Sequence, residues 1–534
     1  MRVLMLCDGG GPLGVGHVMR CLALAEAAVA AGHEVAVAGC FEGLFVQGQL
    51  AAAPVEVVQL AAPLADGDLR PVTDLVRRLH PDVLHVDSYE APGRLRELLA
   101  LPDEEAIPSD AVLSNVEDGT FGRRPADVVI DPTLGADLSP RPDDGSSWLL
   151  RGSRYTPIRR RVIAARRLDE ISTSAAEVAR TVLVVMGGTD PVGLAPAVVE
   201  LLARTGPALE VTVIAVGENA ERVRAAARGS ALSLNVLPPV DDLAARMSGQ
   251  DLVISAAGTS VWELCCIGVP MAVIWAVDNQ REGYDRVVAA GAAVGLGGPE
   301  LAGQHPVGSE SVGHESAVGQ LRAVLTDSRV RAAMMLAGRH AVDGLGAWRV
   351  VRTWEQPRRL GPSARPGSSK QESSNRMTAR PAGMHDARLL WEWRKDPATR
   401  AGSRSSGEVS MDDHLRWLAA SLARIDRMLL LVTDAVGPVG TVRWDLGVEG
   451  EWEVSVTVAP DRRGQSLARP LLRAAEVALS EGAQSSGTDV TAYLAVVNVD
   501  NRASIRLFET SDYVPDLPPD PRGFMRFRKA ARVA

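Results

Sequence analysis

Several kinds of segment are missing from this 534-residue chain. No stretch reaches the roughly 18 uninterrupted apolar residues that a membrane-spanning helix needs, so no membrane partner is expected. The first residues enter a strand at once, which leaves no place for a secretory leader, and a cytoplasmic location is expected. Cysteine is scarce: Cys7, Cys21, Cys40, Cys265 and Cys266 make an odd count of 5 without CxxC spacing. They read as reduced, mostly buried thiols rather than a disulfide framework. The 9 histidines are scattered without an HxxxH or HxE pair, so no metal is expected. A basic excess is missing too, since the net charge is −9, which argues against nucleic acid as the main partner.

What is present is an ordinary globular composition, 46% hydrophobic and 23% charged, in a chain too long for one core. Through residue 350, strand-like runs alternate with helical stretches. Strands are expected at 2–7, 34–38, 83–87, 128–130, 181–186, 211–216, 252–255 and 271–275. Helical stretches are expected at 72–79, 194–203, 219–227 and 320–325. This βαβ alternation implies parallel sheets covered on both faces. The pattern pauses over the basic stretch 151–167 and restarts with Val182-Leu183-Val184-Val185-Met186-Gly187-Gly188, a fresh strand and glycine turn. The spacing predicts two Rossmann-like domains, 1–155 and 156–355, with a ligand in the cleft between them. Residues 356–376, rich in Pro, Arg, Gly, Ser and Gln, read as a flexible linker. A third domain, 377–534, follows.

The first strand leads through Asp8-Gly9-Gly10-Gly11 to Gly14-Val15-Gly16-His17-Val18-Met19-Arg20, which opens an alanine-leucine helix. Strand, glycine turn and helix N-terminus make a crevice suited to phosphate. The pattern departs from the dinucleotide fingerprint: Met19 stands where the third glycine belongs, and Ala38-Gly39-Cys40 where an acidic ribose ligand belongs. A histidine in such a turn serves equally as a packing group or as a reactive one.

The stretch Asp251 to Glu263 repeats the device. Strand 252–255 runs into the small-residue turn Ala256-Ala257-Gly258-Thr259-Ser260, whose backbone N–H groups and hydroxyls can meet an anion. Glu263, one turn on, either accepts hydrogen bonds from ribose hydroxyls or merely complements the helix dipole. Asp278-Asn279-Gln280, at the end of the next strand, offers amides for sugar hydroxyls.

With these motifs in register, residues 1–350 resemble the GT-B nucleotide-sugar enzymes, and within them the UDP-sugar hydrolases of pseudaminic acid biosynthesis. The matching pieces are Asp8-Gly9-Gly10, Gly14 to Ala25, Val86-Asp87-Ser88-Tyr89, Met186 to Pro191, Ala257 to Glu263 and Asp278-Asn279-Gln280. Ala257-Gly258 replaces the two glycines usual there. The resemblance implies a catalytic base at His17, a sugar site lined by Tyr89 and Asn279, and a uridine ribose on Glu263. Gly14, Gly16, Arg20, Gly187, Gly188, Gly258, Thr259, Ser260 and Gln280 would complete the nucleotide-sugar site. The implied substrate is a UDP-2,4-diacetamido-2,4,6-trideoxyhexose, hydrolysed with inversion.

In the third domain, helices are expected at 389–394 and around His414, and strands at 429–433, 438–444 and 452–458. The turn Val458-Ala459-Pro460-Asp461-Arg462-Arg463-Gly464-Gln465-Ser466-Leu467-Ala468 again joins strand to helix, and its N–H groups can cradle a pyrophosphate. With Asn501-Arg502-Ala503-Ser504 and Trp391 to Pro397, it resembles GNAT acetyltransferases, an α+β fold, and among them amino-sugar N-acetyltransferases. The resemblance implies acetyl-CoA on Val458, Arg462, Arg463, Gly464, Gln465, Ser466, Leu467, Ala468, Asn501 and Ser504. Ser466 replaces a usual glycine, and Phe508 a usual tyrosine. Glu453 either handles the amine proton or is an outward strand residue. The combined expectation is a GT-B-like α/β block followed by a GNAT domain, acting in sequence on one UDP-sugar. Two alternatives stay open: a GT-B glycosyltransferase with a GNAT tailoring domain, and a non-catalytic UDP-sugar-binding protein.

Overall fold

The computed structural model of the chain describes residues 1–10, 14–64, 70–89, 91, 95, 111–166, 178–187, 190, 192–302, 310–356, 377–401, 407–486 and 488–531. They form two compact units, Met1–Trp354 and Glu355–Ala534. Most of the expected linker, 357–376, lies outside the described residues.

The first unit holds two parallel sheets. One comprises β1 (Arg2–Cys7), β2 (Glu34–Gly39), β3 (Glu56–Gln59), β4 (Val83–Asp87), β5 (Val112–Val116), β6 (Val128–Asp131) and β7 (Trp148–Arg151) in the order 3-2-1-4-5-6-7. The other comprises β8 (Thr181–Val185), β9 (Glu210–Ile214), β10 (Ser233–Leu237), β11 (Leu252–Ala256), β12 (Met271–Ile274) and β13 (Val294–Gly297) in the order 10-9-8-11-12-13. Counted from its own first strand, the second sheet also reads 3-2-1-4-5-6. The two halves therefore repeat one doubly wound topology, whose order reverses between β1 and β4 and again between β8 and β11. Ligands of such sheets sit at the carboxyl ends of the strands flanking that reversal.

Burial explains why the central strands form. Val3, Leu4, Met5, Leu6 and Cys7 are all buried, as are Leu252, Val253 and Ile254, the near-continuous apolar runs that two-sided burial requires. Gly39 is forced by close approach: a Cβ there would lie 1.6 Å from the Cys7 carbonyl oxygen. The helix Gly346–Trp354 closes the unit by returning to the first lobe, where it packs on the helix Gly16–Ala30. Its Trp354 Nε1 donates to Ser114 Oγ on β5 at 3.0 Å.

The second unit is α+β. Its sheet runs β14 (Thr378–Pro381), β15 (Arg427–Thr433), β16 (Pro438–Leu446), β17 (Glu451–Val458), β18 (Ala492–Asn498), β20 (Phe524–Ala530), β19 (Val514–Leu517). All neighbours are antiparallel except β17 and β18, which are parallel. The helices Ala468–Ser486 and Arg502–Thr510 cover one face, over a core of Leu430, Val442, Trp444, Leu471, Tyr493 and Phe527. On the other face, Leu429 and Leu431 pack beneath Leu390, Trp393 and Leu418 of the helices Ala387–Lys395 and Met411–Leu422.

Candidate active sites

In the first unit, His17 stands in the opening turn of the helix that follows β1, and Asp87 ends β4. The topology thus places them on either side of the first sheet's reversal. His17 Nδ1 lies 2.6 Å from Asp87 Oδ1. Arg20, one turn along the same helix, donates through Nε to Asp87 Oδ2 at 2.8 Å and through a terminal nitrogen to Oδ1 at 2.9 Å. Its other terminal nitrogen donates to Asp118 Oδ2 at 2.9 Å. Burial alone would raise the Asp87 carboxyl, but Arg20 and His17 outweigh it and hold the group well below the usual carboxylate range. Asp87 is therefore an acceptor only, so in a neutral imidazole the 2.6 Å bond takes the proton on Nδ1, which also lies 3.1 Å from an Arg20 terminal nitrogen. In that form Nε2 carries the lone pair that a general base requires.

Tyr89 packs edge-on against His17 with ring centroids 4.6 Å apart, and its hydroxyl donates to Asp118. Burial and the Asp118 carboxylate push the phenol far up, so it stays protonated. Sequence reasoning named His17 and Tyr89 but gave no role to Asp87 or Asp118. A charge ending a strand in which Val83, Leu84 and Val86 are all buried was the available signal for Asp87. Arg20, expected at the nucleotide, has its guanidinium engaged by the two carboxylates and also lines the pocket that holds Glu263.

The second lobe meets this site through the helix Ser260–Ile267. A Cβ on Gly16 would lie 3.2 Å from Thr259 Cγ2, so two helix N-termini face each other across the cleft. Neither carries a side-chain cap, which leaves their first N–H groups available to an anion. Glu263 lines a small pocket with Met19, Arg20, Thr156, Arg159 and Trp262. Burial raises its carboxyl against the pull of Arg161 and Arg159. Gln280 accepts from the Ala276 N–H at 2.9 Å, and a Cβ on Gly258 would stand 3.5 Å from its Nε2, which places it over the Gly258 turn. Gly14 and Gly187 take left-handed φ values of 71° and 73°, which suit glycine. Gly188 and the Asn279 side chain lie outside the described residues. Arg286 ties the lobes together, donating to the Leu134 carbonyl at 2.6 Å and to Ser139 Oγ at 3.1 Å.

In the second unit, β17 and β18 pair only from Glu451–Ala492 to Val454–Ala495 and then part. Their outer neighbours stay in register: Val458 opposes Gly440 on β16, and Asn498 opposes Phe524 on β20. The result is a local V-shaped opening with free backbone edges, beside which the turn 459–467 leads into the helix Ala468–Ser486. Gly464 and Ser466 both adopt positive φ, 75° and 58°. A serine therefore holds a conformation that glycine takes without penalty. Arg462 is ion-paired with Asp434 at 2.5 Å and Arg463 with Asp396 at 2.6 Å, so both expected phosphate arginines are already balanced. Gln465 Nε2 donates to the Asp461 carbonyl at 3.2 Å. Leu467 is buried at the entry to the long helix. Asn501 caps the Arg502–Thr510 helix by accepting from the Ser504 N–H at 3.1 Å. Glu453 is half-buried on β17, opposite Asp445 and just before the strands part. Phe508 is buried against Tyr513 and Phe527. Among the described residues, no group of three or more His, Cys, Asp or Glu is placed to hold a metal. No helix among them is long and apolar enough to cross a membrane.

The chain is similar to several known proteins. Residues 376–514 match the family described as the acetyltransferase (GNAT) domain. The spore coat polysaccharide biosynthesis protein SpsG of Bacillus subtilis is 25% identical over 358 residues, covering 66% of this chain and 97% of that protein. The uncharacterized protein MJ1062 of Methanocaldococcus jannaschii is 21% identical over 300 residues, and this chain spans only 58% of its length. Among solved structures, Acinetobacter baumannii MurG is similar at 19% identity and a TM-score of 0.47, covering 66% of this chain and 98% of that one. A Vibrio cholerae spermidine N-acetyltransferase solved with CoA and spermine covers 29% of this chain and 95% of its own, at 17% identity and a TM-score of 0.26. The first unit is a pair of Rossmann-like lobes, and the GNAT match falls within the second.

Proposed function

We propose that the first unit hydrolyses a UDP-2,4-diacetamido-2,4,6-trideoxyhexose, and that the second acetylates the corresponding 4-amino UDP-sugar beforehand. The observation that carries the first half is the 2.6 Å bond between His17 Nδ1 and the buried Asp87, at a sheet reversal facing a second, uncapped helix N-terminus. His17 Nε2 takes a proton from water as the water oxygen bonds to the anomeric carbon. The bond from that carbon to the UDP oxygen breaks, and its electron pair leaves with UDP. The N–H groups at Ser260 meet the charge that grows there. Attack opposite the leaving group inverts the anomeric configuration. Glu263 is suited to the ribose hydroxyls, and Arg20 keeps Asp87 ionised throughout.

In the second unit, the opening between β17 and β18 and the amides of residues 463–467 suit an extended coenzyme with a pyrophosphate, here acetyl-CoA. Glu453, beside that opening, orients the acceptor amine or takes its proton. SpsG is by name a polysaccharide biosynthesis protein, and that kinship supports a sugar substrate for the first unit. Incubation with the UDP-sugar and no acceptor, followed by NMR of the products, tests the reading. Free sugar of inverted anomeric configuration plus UDP is expected. Unchanged substrate that is consumed only when a sugar acceptor is added would favour glycosyl transfer instead.

A further inference from the structure

The turn Asp118–Phe121 lies beside the first site and has no part in the hydrolysis just described. It is rigid: Asp118 and Phe121 exchange backbone hydrogen bonds of 3.0 Å in both directions. Asn115 Nδ2 anchors the Gly122 carbonyl at 3.0 Å, and Arg123 anchors that of Gly119 at 2.7 Å. A Cβ on Gly119 would lie 3.1 Å from Glu282 Oε2, so the turn stands against the second lobe's helix Arg281–Ala289. Phe121 is 50% exposed, and its ring centroid lies 5.7 Å from that of Tyr89. Tyr89 in turn touches His17, so three rings run in a row outward from the base.

The polar end of Tyr89 is committed. Its proton goes to Asp118, which is itself held by Arg20, so toward a ligand the phenol oxygen offers lone pairs only. A hydrogen-bond acceptor of fixed direction thus sits next to a half-exposed apolar ring. A hydroxyl group satisfies the first and wastes the second; a methyl group does the reverse. A secondary amide presents an N–H and a methyl a few bonds apart and satisfies both. We infer that Tyr89 and Phe121 recognise an N-acyl substituent of the sugar, with Asp118 as the residue that positions the Tyr89 proton. The inference rests on the UDP-sugar reading above and deepens it.

The test titrates the full-length protein calorimetrically with UDP and with UDP-2-acetamido sugars bearing acetamido, amino or hydroxyl groups at C4, and measures hydrolysis in parallel. The wild type is expected to bind the acetamido sugar about 10-fold more tightly than the hydroxyl sugar, the worth of a well-placed methyl group. Phe121→Ala is expected to bring the two within about 2-fold while UDP affinity stays unchanged, and Phe121→Leu to keep most of the preference. Asp118→Asn is expected to erode the same ratio, which a general loosening of the fold does not do. A preference that survives Phe121→Ala overturns the inference alone if the sugars are still hydrolysed. A preference that is lost as expected, without hydrolysis by the wild type, sustains it and removes the hydrolase reading. If the wild type binds none of these nucleotides, both fall.

Discussion

Replacing Asp87 by asparagine isolates the claim that one buried carboxylate sets the chemistry of His17. The two side chains are nearly equal in size, so packing is preserved. The carboxylate now accepts from His17 Nδ1 at 2.6 Å and from two Arg20 nitrogens at 2.8 and 2.9 Å. An amide has one acceptor oxygen and one donor nitrogen. Arg20 donates to both oxygens, so the amide nitrogen faces an Arg20 N–H in either orientation; with the amide oxygen on Arg20 Nε, that nitrogen also faces His17 Nδ1. Imidazole can adapt, and does so by moving its proton to Nε2. That proton then occupies the position where the lone pair must meet water. Loss of the base in this way is worth about 10³–10⁴-fold in kcat. Arg20 keeps Asp118, so the fold should lose only about 1–3 kcal/mol, the usual effect of weakening a buried charged hydrogen bond. UDP release measured under saturating substrate gives kcat, and thermal unfolding gives the stability. His17→Ala should match Asp87→Asn, and the double variant should be no slower than either, because the pair acts as a unit. A folded Asp87→Asn enzyme within about 10-fold of wild-type kcat would refute the tautomer argument.

Three further outcomes are expected. His85, fully buried on β4 beside Ser114, is depressed by burial to about 4. Its folded value lies below its unfolded one, so the folded state refuses a proton that the unfolded chain accepts, and stability falls as pH drops from about 6.5 toward 4 by up to about 3 kcal/mol. Urea titrations of wild type and His85→Gln should diverge in that window, whereas carboxylates held low, such as Asp87, act below it; parallel curves would dismiss His85 as the cause. Ser466→Gly relieves a left-handed serine and should stabilise the second unit by about 0.5–1 kcal/mol after allowing for glycine's entropy, read as a rise of a few degrees in its unfolding. Glu453→Gln should cut acetyl transfer about 10²–10³-fold and leave acetyl-CoA binding in place, and unaltered transfer would return Glu453 to the role of a plain strand residue.

The architecture of the first unit was legible because its central strands are buried on both faces and therefore continuous in apolar residues. The expected strand at 2–7 and that at 83–87 are β1 and β4, and both glycine turns open helices as read. Strands without that signature were missed. β7 has four residues, of which Leu149 is exposed, and β10 alternates between half-buried and exposed positions without one fully buried residue. Asp87 and Asp118 escaped for another reason. Their partners lie 29 to 98 residues away along the chain; a charge closing a buried apolar strand marks Asp87 as unusual, but neither its partners nor those of Asp118 can be read locally. The phosphate-turn arginines differ again: the expectation for them was local, and the structure pairs them with Asp434 and Asp396, which are distant in sequence.

The returning helix Gly346–Trp354 has a consequence for how the molecule can be taken apart. The first lobe is written at both ends of the first 354 residues, since Arg349 donates to the Arg154 carbonyl at 2.6 Å and Trp354 plugs in beneath β5. Cutting the gene between the lobes yields no independent halves, because the earlier fragment would carry a bare apolar groove along the very helix that bears the base. The natural seam lies after Trp354, where the first compact unit ends.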